Sequence, residues 1–96
     1  VADGVQGFTY REPWGVVAGI IPWNYPIVLT SWFMFPALLA GNTILIKPAE
    51  DTPLSALYIA KLAEEAGFPP GVINVLPGRG DPALFHRVPP IGITKV

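Results

Sequence analysis

Ile20-Ile21-Pro22-Trp23-Asn24 opens, and Gly41-Asn42-Thr43-Ile44-Leu45-Ile46-Lys47-Pro48-Ala49-Glu50 closes, the stretch whose reading decides the fold of this chain. Each contains a short apolar run that ends in polar residues, and a helix-length apolar segment reaching Ala40 separates them. That is a strand, crossover, strand pattern with chemistry at both strand ends. In open parallel α/β sheets ligands sit just beyond the carboxyl ends of the strands. Asn24, Lys47 and Glu50 are therefore the first candidates for a site.

Immediately upstream, Val16-Val17-Ala18-Gly19-Ile20-Ile21 is a continuous apolar run with β-branched residues at four positions, the signature of a strand covered on both faces. Pro22 stops it, because proline cannot donate to a sheet ladder. Residues 1–15 read as an approach segment or an edge strand. Between the two strands, Pro26 suits the first turn of a helix, with Asn24 or Tyr25 near the cap. This helix, over 26–39, is apolar all round and so is expected to be buried on most sides, with Pro36 inside it. Gly41 is its left-handed stop.

Downstream, Thr52 as N-cap and Pro53 at the first helical position predict a second helix. Leu54, Leu57, Tyr58 and Leu62 share one face of it, with Lys61, Glu64 and Glu65 towards the other side. Gly67 ends it. Val72-Ile73-Asn74-Val75-Leu76 is a third strand; a short helix from Asp81 to about Arg87 and a fourth strand over 91–96 are expected beyond it. Strands alternating with helices at this spacing predict an α/β fold with a parallel βαβαβ sheet. Its open last edge marks it as an incomplete part of a larger subunit.

Composition narrows the partners. The 96 residues are 51% hydrophobic and 14% charged, with a net charge of −1. The average soluble domain carries about 25% charged residues, so much of this surface is expected to be covered by other parts of a larger body. The charge gives no electrostatic case for nucleic acid or an acidic membrane surface. Residues 13–46 carry no charge, which raises a membrane hairpin as an alternative. Prolines interrupt the stretch, however, and the longest run between them, 27–35, falls short of the roughly 20 residues a span requires. Cysteine is absent, which excludes a disulfide, a thiolate nucleophile and zinc-ligand spacing within these residues.

Three groups of residues carry candidate chemistry. Lys47 and Glu50, three apart at a strand end, form a donor and acceptor suited to ribose hydroxyls or else a surface ion pair. The Glu50 charge would repel a 2′-phosphate, which favours NAD over NADP. Asn24 could donate to a developing oxyanion in a dry site, or cap the helix, or both. Gly78-x-Gly80-x-x-Ala83 matches the dinucleotide fingerprint with its permitted final alanine, yet Asp81 opposes a phosphate at that helix start. The small residues there either make an ordinary turn or let an adenine ring approach. His86 reads as solvated surface.

Taken together, these residues resemble the aldehyde dehydrogenase superfamily. The matching strings are Glu12-Pro13, Gly15-Val16-Val17, Ile21-Pro22-Trp23-Asn24-Tyr25-Pro26, Ala40-Gly41-Asn42-Thr43, Lys47-Pro48-Ala49-Glu50, Glu65-Ala66-Gly67-Phe68-Pro69-Pro70-Gly71 and Asn74-Val75-Leu76-Pro77-Gly78. The resemblance implies that residues 16–96 are part of a Rossmann-like dinucleotide-binding domain. The parent would be a homo-oligomer that oxidises an aldehyde to a carboxylic acid with NAD, or with NADP. By position it implies that Asn24 donates to the thiohemiacetal oxyanion. It further implies that Lys47 and Glu50 hold the adenosine ribose, that Gly80 lies against the adenine, and that Ile20, Ile21, Pro22 and Trp23 line the nicotinamide side. The family's cysteine nucleophile and general-base glutamate are missing, so this chain alone is expected to be inactive. The alternative is a small stand-alone α/β binding module without enzymatic activity.

Overall fold

Five elements alternate along the chain: β1 (Val16–Ile21), α1 (Pro26–Leu39), β2 (Thr43–Pro48), α2 (Leu54–Glu65) and β3 (Ile73–Val75). The structure, a computed structural model, describes residues 2–80. The helix expected after Asp81, Ala83 of the glycine motif, His86 and the strand expected over 91–96 lie outside the described residues. Residues 5–14 form neither helix nor strand and are exposed.

The sheet is parallel, in the order β1-β2-β3. Val16 pairs with Thr43, and the register runs unbroken to Ile21 opposite Pro48. Ile44 and Ile46 face Ile73 and Val75 on the other side of β2. A parallel crossover is right-handed. Two such crossovers stepping in the same direction lay both helices on one face, and α1 indeed touches β1, β2 and α2. On that covered face Ile21, Ile44 and Ile46 form the core with Met34 of α1 and Ala56 of α2. Ile44 is fully buried.

This arrangement corrects the expectation that β1 is covered on both faces. Val16, Ala18 and Ile20 are exposed, because both helices lie on the side of Val17, Gly19 and Ile21. The bare face carries Ile20, Leu45 and Lys47, with Asn74 level with Leu45. The all-round apolar α1 is likewise not buried on most sides. Thr30 and Met34 are buried and Leu29, Phe33, Ala37 and Leu38 half-buried, while Ile27, Trp32, Phe35 and Leu39 are exposed. A helix in a two-layer unit has one face to bury, whatever its composition.

α2 also turns a different face inward. Ala56, Ile59, Ala60 and Ala63 are buried or half-buried, while Leu54, Leu57, Tyr58 and Leu62 are exposed. Both sets recur at helical spacing, so periodicity alone could not choose between them. The small side chains let α2 approach α1 and β3 closely. Nor does Thr52 cap this helix: Pro53 occupies the cap position, and the Thr52 hydroxyl is buried without a hydrogen-bond partner.

The helix ends follow the sequence closely. Gly41, at φ +85°, donates to the Leu38 carbonyl at 2.9 Å, and Asn42 N–H donates to Ala37 at 3.1 Å. Gly67 and Phe68 repeat the pattern on Glu64 and Ala63. These are Schellman closures, which satisfy carbonyls the helix would otherwise orphan. Asn42 does more. Its Oδ1 accepts the Gly15 N–H at 3.0 Å, while its Nδ2 donates to the Ala37 carbonyl at 3.0 Å. Together with the Thr43 N–H bonded to the Gly15 carbonyl, it pins the entrance of β1 to the turn before β2.

Candidate functional site at the carboxyl ends of the strands

Parallel strands bring their carboxyl ends to one edge of the sheet. Three segments meet that edge: residues 22–25 after β1, 47–50 at the end of β2, and 76–80 after β3. The Leu76 N–H donates to the Ile46 carbonyl at 2.8 Å, so the ladder continues one residue beyond β3 and holds the third segment beside the second.

In the first segment, Ile20 is 84% exposed and lies opposite Lys47, whereas Ile21 is buried in the core. Ile21 can serve this edge only through its backbone. Pro22, Trp23, Asn24 and Tyr25 are exposed. Asn24 does not cap α1: the cap position belongs to Tyr25, whose side chain makes no capping hydrogen bond. Tyr25 sits in the left-handed region at φ 55° and ψ 51°, unusual for an aromatic residue. The turn it makes sends the chain from the strand end into Pro26. Among the described residues, no hydrogen bond engages the Asn24 side chain, so its amide is free to donate.

The second segment departs from the paired ammonium and carboxylate that spacing suggested. Lys47 Nζ donates to the Pro48 carbonyl at 2.8 Å. Glu50 instead accepts, through Oε1, the backbone N–H of Gly80 at 2.8 Å. Lys61 and Glu65, an exposed pair one helical turn apart at 3.8 Å, form the salt bridge found among the described residues. The surface ion pair considered for Lys47 and Glu50 is therefore not formed. Each charged group is instead engaged by the backbone in a charge-assisted hydrogen bond, and the Gly80 N–H draws the carboxylate across to the next loop.

The residues at this edge fit the adenosine half of a dinucleotide. Glu50 keeps Oε2 as an acceptor, and Lys47 retains donors beyond the one spent on Pro48. A methyl group added at Gly80 would stand at ordinary contact distance, 3.8 Å, from Glu50 Oε1, and the glycine leaves the backbone there without a side chain over it. The structure thus brings Glu50 to Gly80 and Ile20 to Lys47. No described hydrogen bond joins Asn24 to that group. The Glu50 to Gly80 bond was invisible in the sequence, where thirty residues separate the partners.

Elsewhere the described residues hold little competing chemistry. No cluster of metal-ligating side chains occurs among them, and no helix is long and apolar enough to cross a membrane. A groove of about 410 Å³ runs between α2 and the turn before β3, lined by Leu57, Lys61, Phe68 and Ile73 among others. It lies at the amino end of β3, away from the site.

Comparison with known proteins bears on the family and the fold. Residues 1–86 match the model of the aldehyde dehydrogenase family. Human retinal dehydrogenase 2 is 57% identical over 89 residues, which is 93% of this chain and 17% of that protein. Among solved structures, PnpE of Pseudomonas sp. WBC-3 in complex with nicotinamide adenine dinucleotide superposes with a TM-score of 0.71 at 64% identity, over 73% of this chain and 14% of that one. Betaine aldehyde dehydrogenase of Staphylococcus aureus in complex with NAD+ gives 0.69 at 49% identity, over 72% and 14%. The chain thus spans less than a fifth of each of these relatives.

Proposed function

Since the chain belongs to the aldehyde dehydrogenase family, we propose that it supplies part of the cofactor site, and the oxyanion donor, of an enzyme oxidising an aldehyde to a carboxylic acid with NAD. The observation that carries this reading is the common carboxyl edge, where Glu50 meets Gly80 and Lys47 stands near the end of the strand paired with the one that leads to Asn24.

Each residue has a role its chemistry suits. Lys47 donates to, and Glu50 accepts from, the adenosine ribose hydroxyls. Gly80 leaves room for the adenine. Ile20, Pro22 and Trp23, with the Ile21 backbone, form the wall on the nicotinamide side and keep water from it. When bound, the nicotinamide accepts the hydride removed from the substrate carbon. The Asn24 amide donates to the substrate oxygen as negative charge gathers there. These 96 residues hold no cysteine, so the nucleophile belongs to the rest of the subunit and the chain by itself is inactive. The parent enzyme is a homo-oligomer in this reading, and neither nucleic acid nor a membrane is among its partners. The test is NADH formation by the intact protein with a panel of aldehydes. No turnover with any of them would overturn the assignment.

The same geometry sets a cofactor preference. Glu50→Gln keeps the side chain's shape and removes the charge facing the 2′ position. At an exposed site, unit charges about 4 Å apart interact with about 1 kcal/mol. The expected result is a roughly fivefold gain in kcat/KM for NADP relative to NAD, and unaltered selectivity would remove Glu50 from cofactor discrimination.

A further inference from the structure

The hydrogen bond between Glu50 and Gly80 has a role of its own. A glutamate on an exposed loop samples many rotamers, and an acceptor that must meet a hydroxyl loses affinity for each one it has to abandon. Here the Gly80 N–H, at 2.8 Å, fixes Oε1 and leaves Oε2 as the free acceptor of the same carboxylate. The bond also spans two loops, one leaving β2 and the other leaving β3, which form neighbouring walls of the carboxyl edge.

We infer that the Gly80 N–H is a positioning group for cofactor binding. It orients Glu50 towards the ribose and ties the loop after β3 to the loop after β2, so that the adenosine cleft is formed before the cofactor arrives. This inference rests on the proposed NAD site. It adds that a backbone amide, rather than Lys47, holds the carboxylate in place. Lys47 is turned to its own neighbour's carbonyl and is the partner the ribose must recruit.

A double-mutant cycle in the intact enzyme tests it, with NAD dissociation constants measured by calorimetry. Gly80→Pro deletes the N–H, whereas Gly80→Ala keeps it and adds a methyl group at ordinary contact distance from Glu50. Gly80→Pro is expected to weaken NAD binding about tenfold, in line with the loss of a hydrogen bond to a charged group. Gly80→Ala, which keeps the N–H and adds only the methyl group, should lose less NAD affinity than Gly80→Pro. In a Glu50→Ala background, Gly80→Pro should cost less NAD affinity than it does in the wild type. Losses that add across the two sites, or a Gly80→Pro enzyme that binds normally, overturn the positioning role and leave Glu50 as a ribose ligand. A Glu50→Ala enzyme with normal NAD affinity overturns the ribose reading as well. Should Gly80→Pro not fold, hydrogen exchange decides: the Gly80 amide should exchange about tenfold faster in Glu50→Ala than in the wild type, and equal rates overturn the inference.

Discussion

Replacing Asn24 with alanine in the intact enzyme is expected to lower kcat by about 100- to 1,000-fold while NAD affinity stays within about twofold of the wild type. The asymmetry follows from what the amide does. It stands at the end of β1, exposed, with no described hydrogen bond to satisfy, and it lies apart from the Lys47, Glu50 and Gly80 group. In the role proposed for Asn24, deleting it removes a donor aimed at charge that develops only during reaction, a loss of about 3–4 kcal/mol in the transition state. Its surroundings reinforce that donor. α1 begins two residues later with no acidic side chain in its first turn, so the partial positive charge of the helix end is left uncompensated. Asn24→Asp should be at least as damaging as alanine, because a carboxylate of similar shape repels the negative charge proposed to gather on the substrate oxygen. Steady-state kinetics together with NAD titration check both statements. A full-rate Asn24→Ala enzyme, or one impaired only through NAD binding, would remove Asn24 from the chemistry.

Gly19→Ala is the second large effect, and it acts on stability. A methyl group at Gly19 would stand 2.7–2.8 Å from three carbons of the Phe33 ring. Real packing does not tolerate such distances, and Phe33 is half-buried against the core cluster, so the ring cannot swing aside without opening contacts. Overpacking of this kind costs about 1–3 kcal/mol. Heating or denaturant titration of the intact protein should show the loss. The double substitution Gly19→Ala with Phe33→Leu should be more stable than the sum of the single changes predicts, because the smaller side chain makes room for the methyl. A Gly19→Ala protein that melts with the wild type would mean that the ring does not press on the strand.

The backbone plan could be read from residues because the signals were local. Pro22 and Pro48 mark the strand ends, Gly41 and Gly67 the helix stops, and apolar runs of strand length alternate with helix-length segments. What could not be read was which side of each element would be covered. The Leu54, Leu57, Tyr58, Leu62 stripe and the Ala56, Ile59, Ala60, Ala63 stripe fit the same period, and the close approach of two helices chose the smaller side chains. An unbroken apolar strand likewise reads as covered on both faces, and its composition could not say that both helices would lie on one. At the site, Lys47 and Glu50 read as a pair in the sequence and Gly80 apart from them. The bond between Glu50 and Gly80 joins two loops whose separation no spacing rule reaches, and it replaced the nearest-neighbour ion pair with a backbone contact. The Asn42 clasp on Gly15, across twenty-seven residues, lies beyond the same rules.

Strand adjacency here follows chain order, with β2 beside β1 and β3 beside β2. Each pairing therefore closes a loop no longer than a single helix and its turns, which keeps the entropy of closure small. A polypeptide leaving the ribosome could lay down this sheet one strand at a time, each arriving strand finding its template already in place.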